Sequence, residues 1–131
     1  MEIKLSNQES EEMFFNALCN GLHYISGYGL ELMYDDSAYA AAKAKLKAYD
    51  AEVSPCFEDV LMRILKDGGE LTLVDVECDG EYTRSVSMQQ VHERVQRTPA
   101  RFLLDMVEER DDAETADVII QTVFFEDIIF G

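Results

Sequence analysis

The sequence predicts an α+β fold, with five or six helices packed around one central antiparallel β-hairpin and a third short strand as an option. Three observations carry this. Apolar residues recur at helical spacing in several separate stretches. One Asp-Gly pair sits between two alternating runs, the mark of a hairpin. Glycine and proline punctuate the chain, mostly between these stretches. The 131 residues, 47% of them hydrophobic, suit a single globular domain over residues 1–131. A chain of this size buries about two-thirds of its unfolded surface, so it needs neither metal nor disulfide to fold.

The first helix is expected to start after Ser6, where Ser6 and Glu9 form a capping box. Phe14, Ala17, Leu18, Leu22 and Ile25 continue it, and Gly27 and Gly29 stop it. Gly29 to Tyr34 alternates polar and apolar residues and is the optional third strand. Asp35 or Asp36 caps a second helix, with Tyr39, Ala42, Leu46 and Tyr49 on one face. Ser54 as cap and Pro55 at the first helical position open the third. Its stripe is Phe57, Val60, Leu61, Ile64 and Leu65, and Gly68 and Gly69 end it.

Leu71 to Met88 reads as the hairpin, turning at Asp79-Gly80. A two-residue loop there pairs Cys78 with Glu81, Asp75 with Arg84, Leu73 with Val86 and Leu71 with Met88. This register predicts a cross-strand ion pair between Asp75 and Arg84. Ser87 and Gln90 form a second capping box for a helix that turns Met88, Val91 and Val95 inward. Thr98-Pro99 opens the next, with stripe Phe102, Leu103, Met106 and Val107. The last helix turns Ala116, Ile119, Ile120, Val123 and Phe124 to the core. Residues Asp127 to Gly131 are left open between helix and extended chain. If they project, Phe125, Ile129 and Phe130 are an oligomer contact.

Charge is the strongest signal. Twenty-seven acidic residues face eleven basic ones, for a net charge of −16. Such a surface repels phosphate backbones and anionic lipid, so neither direct nucleic-acid binding nor membrane binding is expected. A basic protein surface, or self-association, is the expected partner. The densest acidic stretch is Asp105, Glu108, Glu109, Asp111, Asp112, Glu114 and Asp117, the candidate interaction surface. Those just before the last helix also suit its dipole, which gives them a structural reason to exist. Arg94, Arg97 and Arg101 form a basic counterpoint, able to pair internally or with the acidic stretch of a second copy. Residues Met1 to Ser10 lack the pattern of a signal peptide, and no apolar run approaches the roughly 20 residues of a membrane span. With an odd number of cysteines (Cys19, Cys56 and Cys78), the expected location is a reducing cytoplasm.

Catalytic and metal motifs fail on inspection. Asp75-Val76-Glu77-Cys78-Asp79-Gly80 starts like a calcium loop, but Val86 stands where a bidentate Glu is needed. His92-Glu93 opens a zinc-protease pattern whose second histidine is replaced by Gln96. Cys19 and His23 share a helix face, yet no further ligand has matching spacing, so Cys19 reads as a small buried hydrophobe. No cofactor is expected.

Two functions follow. The first is a non-enzymatic interaction module whose acidic face binds a basic partner. A sharper form has the chain mimic the charge of DNA and occupy a nucleic-acid-binding protein. Small acidic accessory proteins of phages and mobile elements are similar in size and charge, a likeness of composition only. The alternative is a small metal-dependent or acid–base enzyme at the hairpin tip, using Asp75, Glu77, Asp79, Glu81 and Arg84, with Tyr82 and His92 nearby.

Overall fold

A computed structural model describes residues 4–49, 54–108 and 112–130. Its order is α1 (Asn7–Ile25), a single 3-10 turn (Ser26–Tyr28), β1 (Leu30–Met33), α2 (Asp36–Tyr49) and α3 (Phe57–Lys66). Then come β2 (Leu71–Asp75), β3 (Arg84–Val86), α4 (Met88–Val95), α5 (Ala100–Val107) and α6 (Ala113–Phe125). The fold is therefore α+β, with helices packed on a three-stranded antiparallel sheet in the order β1-β2-β3. The optional strand is real and makes β2 the central one.

The two capping boxes form as the sequence implies. Ser6 accepts from the Glu9 N–H at 3.1 Å while Glu9 accepts from the Ser6 N–H at 2.9 Å. Ser87 and Gln90 do the same for α4. Asp35 caps α2, taking the Ala38 N–H at 3.0 Å. The proline starts differ from expectation. Helix α3 begins at Phe57 behind Cys56, and α5 begins at Ala100 behind Pro99. In α3 the reason is a rival box: the Asp59 carboxylate accepts the Cys56 N–H and so fixes the start two residues later. Several stripe residues also stay outside. Tyr49 is almost fully exposed, and Phe57 and Val107 are exposed.

Helix α6 is the axis of the core. Every residue from Thr115 to Phe124 is buried, because α1, α4, α5 and β3 all pack on it. It runs antiparallel to α1: Phe14 meets Phe124 near one end, and Gly21 meets Ala116 and Ile120 near the other. A Cβ at Gly21 would stand 2.8 Å from Ile120 Cδ1 and 2.9 Å from Ala116 Cβ, so only glycine permits this approach. Against the far side of the core, Tyr34 stacks on Tyr39 and meets the Phe57 edge, tying α2 to the start of α3.

The hairpin keeps its turn but not its register. Asp79 and Gly80 both take positive φ, 52° and 80°, as a tight turn requires. The ladder nevertheless pairs Leu71 with Val86, Thr72 with Ser85 and Leu73 with Arg84, two residues away from the predicted alignment. A shift of two keeps every side chain on its face, so the core does not resist it. Asp75 therefore does not face Arg84. The Arg84 guanidinium donates instead to the carbonyls of Glu81 and Thr83. Residues 76–83 form a broad loop rather than a continued ladder.

Candidate interaction surface

The loop that carries the hairpin carboxylates is organised by one of them. Asp75 is 3% exposed, and its Oδ1 accepts the N–H groups of Glu77 at 3.1 Å and Cys78 at 2.8 Å. Its Oδ2 accepts the Tyr82 N–H at 3.2 Å. The Asp75 N–H goes to Thr83 Oγ1 at 3.1 Å, where the ladder would otherwise have continued. These donors, the Cys78 N–H first, hold the Asp75 carboxyl below the ordinary value of 3.8 against the effect of burial. Asp75 is thus a structural residue. Glu77, Asp79, Glu81 and Arg84 of the same predicted site are exposed.

The acidic stretch divides in a similar way. Asp112 is the N-cap of α6 and accepts the Thr115 N–H at 3.0 Å, with Glu114 exposed in the first turn. Glu108 is exposed and Asp105 half-buried at the end of α5. Glu109 and Asp111 lie outside the described residues. Asp117 is not part of a surface: it is 4% exposed, inside the α6 packing. Its Oδ2 accepts the Tyr28 hydroxyl at 3.0 Å and its Oδ1 accepts Gln121 Nε2 at 2.8 Å. Burial pushes this carboxyl above 3.8, and the two hydrogen bonds work against that rise.

Gln121 is fully buried and closes the network. Because an ionised carboxylate only accepts, the Gln121 Nε2 must face Asp117, which leaves Oε1 for other donors. That oxygen accepts the Ile129 and Phe130 N–H groups at 2.8 and 2.9 Å, while Nε2 also donates to the Phe130 carbonyl at 3.0 Å. Phe130 stacks on Tyr28 and lies edge-on to Tyr82, at centroid distances of 5.3 and 5.2 Å. The segment after α6 is therefore folded back, with Phe125 and Phe130 half-buried and Ile128 and Ile129 exposed.

Two of the three arginines are paired internally. Arg97 and Arg94 both reach Glu126 Oε1, at 2.6 and 3.4 Å, and Arg94 donates to the Val123 carbonyl at 3.0 Å. Arg101 lies over the Phe102 ring at 4.4 Å. His92 meets Glu11 Oε2 at 3.1 Å, and Lys66 reaches the other oxygen of Glu11 at 3.7 Å.

Cys19 is exposed, not the buried hydrophobe expected, because position 19 falls just outside the α6-facing stripe of α1. Partial desolvation of its sulfur and then the Glu58 charge push its thiol up to about 11. Cys56 and Cys78 are also raised, by desolvation first, so none of the three is an activated thiolate. Among the described residues no three His, Cys, Asp or Glu side chains are arranged to hold a metal ion. Among the same residues, no helix is long and apolar enough to cross a membrane. No family model matches the chain, and comparisons with curated proteins and with solved structures return no match.

Proposed function

We propose that this protein is a non-enzymatic interaction module whose acidic surface receives a basic partner. The observation that carries the reading is how its cations are used. Lys45 and Arg63 share Asp67, and Arg94 and Arg97 share Glu126. Cations doubled on one carboxylate leave more of the other carboxylates without a cation beside them, while the net charge of −16 is the same whatever the pairing. Glu77, Asp79 and Glu81 on the loop, with Glu114 at the start of α6, are among the exposed carriers. A field of this kind speeds and orients the approach of a positive partner more than it adds affinity.

The test is capture of basic proteins by the immobilised chain. Capture should fall steeply as salt rises from about 50 to about 300 mM, where the screening length shortens to less than 10 Å or so. Charge reversal at Glu77, Asp79 and Glu81 together should weaken it. Salt-insensitive capture, or none, sinks the reading. The enzymatic alternative draws less support, since Asp75 is occupied by three backbone donors and its neighbours on the loop are solvated.

A further inference from the structure

The β1 edge of the sheet borders an open groove of about 500 Å³. The groove is lined by Leu18, Leu22 and His23 of α1, by Leu32 and Met33 of β1, and by Phe57 at the start of α3. Met33 and Phe57, 50% and 39% exposed, both line this groove, so their exposure falls on one patch.

Among the described residues, part of the main chain beside this groove has no partner in the sheet, and the ladder phase shows where. The Val76 N–H donates to the Gly29 carbonyl at 2.9 Å, and the register pairs Leu30 with Asp75 and Leu32 with Leu73. Bonded and non-bonded pairs alternate along an antiparallel ladder. Gly29, Glu31 and Met33 therefore exchange bonds with β2, while Leu30 and Leu32 turn their N–H and C=O groups away from it. The Asp75 N–H pointing to Thr83, away from β1, fixes the same phase. Among the described residues, no main-chain hydrogen bond outside the ladder takes up the Leu32 N–H or C=O.

We propose that β1 is a strand-addition site for an extended basic segment of a partner protein. The inference rests on the basic-partner reading above and adds to it a second contact, apart from the loop carboxylates. Alternate side chains of the added strand would drop among Leu22, Leu32 and Phe57, and those between would face solvent and the rim. The rim chooses their charge: Glu31 is exposed on β1, and Glu58 lines the opposite side with Asp59 next to it. Cys19 also lines this groove, and after desolvation the charges of Glu58 and Asp59 act on its thiol. Lysine or arginine between apolar residues fits both features. Main-chain bonds to Leu32 supply affinity that does not depend on sequence, and the groove and rim supply selectivity.

The probe is a short, blocked peptide alternating lysine and valine, added to the full chain and followed by backbone amide shifts and hydrogen exchange. The expected result is slowed exchange at Leu32, with shifts confined to β1, the second half of α1 and the start of α3. Glu31→Lys with Glu58→Lys should weaken binding about tenfold or more, as loss of complementary charge does. Leu32→Pro removes an N–H that β2 does not use and should abolish binding. Should that variant not fold, the surface charge variants still decide. Equal binding of a peptide with a central proline overturns strand addition. Shifts that fall on residues 76–83 or the start of α6 overturn this site while leaving the basic-partner reading standing. Absence of any binding by the probe also overturns the site, and the salt-dependent capture experiment then judges the broader reading separately.

Discussion

Asp117 shows how one buried carboxylate governs a neighbourhood. It fixes the orientation of Gln121, and Gln121 in turn holds the backbone of Ile129 and Phe130. Asp117→Ala leaves the Tyr28 hydroxyl and one Gln121 N–H without acceptors inside the protein. The expected cost is about 1–3 kcal/mol, read by chemical denaturation. Asp117→Asn should be milder, because the Tyr28 hydroxyl can rotate to accept from the new amide. It should also alter the pH profile. The folded carboxyl titrates above 3.8, so the folded state keeps a proton that the unfolded chain has lost. Stability from this group is full below 3.8 and falls as pH rises through the higher folded value. Asn removes that decline, and a variant with an unchanged slope over the same range would contradict the account.

At the scale of elements, the loop of residues 76–83 depends on Asp75 in place of a ladder. Asp75→Asn offers one acceptor where the carboxylate offers two, and sets an amide N–H against a backbone N–H. Hydrogen exchange of the Glu77, Cys78 and Tyr82 amides should quicken, with the β1–β2 amides unchanged. The acid limb should also become shallower. The folded carboxyl is held below 3.8, so its stabilisation is present above 3.8 and is lost as pH falls through the lower folded value. The substitution removes the group that loses it. Cooperative loss of the whole sheet in this variant would show that the loop and ladder are not separable.

For the whole molecule, charge sets the terms. A net charge of −16 repels itself, and it remains after the cations paired at Asp67, Glu126 and Glu11 have been counted. These pairs are largely solvent-exposed and contribute little each. Raising salt from low to about physiological strength should therefore increase the melting temperature, by roughly 2–5 °C, because screening relieves repulsion more than it weakens the pairs. A fall in melting temperature would mean that the pairs outweigh the repulsion.

Local chemistry was the legible part. The boxes Ser6–Glu9 and Ser87–Gln90, the Asp79-Gly80 turn and the apolar periods of α1, α3 and α4 each act within a few residues, so the sequence displays them directly. The candidate site was legible only as charge. Glu77, Asp79, Glu81 and Glu114 are exposed, but Asp75 and Asp117 were read as surface residues from the same letters. What placed Asp117 inside was packing on all sides of α6, and what enclosed Asp75 was the loop of residues 76–83 closing on its carboxylate. Glu31 and Glu58 drew no notice, since nothing in sequence sets an edge strand beside a distant helix. The chain by itself determined its helices, its turn and the sign of its field, because these follow from composition and short-range bonding. Which carboxylates turn outward, and which strand edge stays open, was decided only by the tertiary structure, because burial and edge status depend on neighbours far away along the chain.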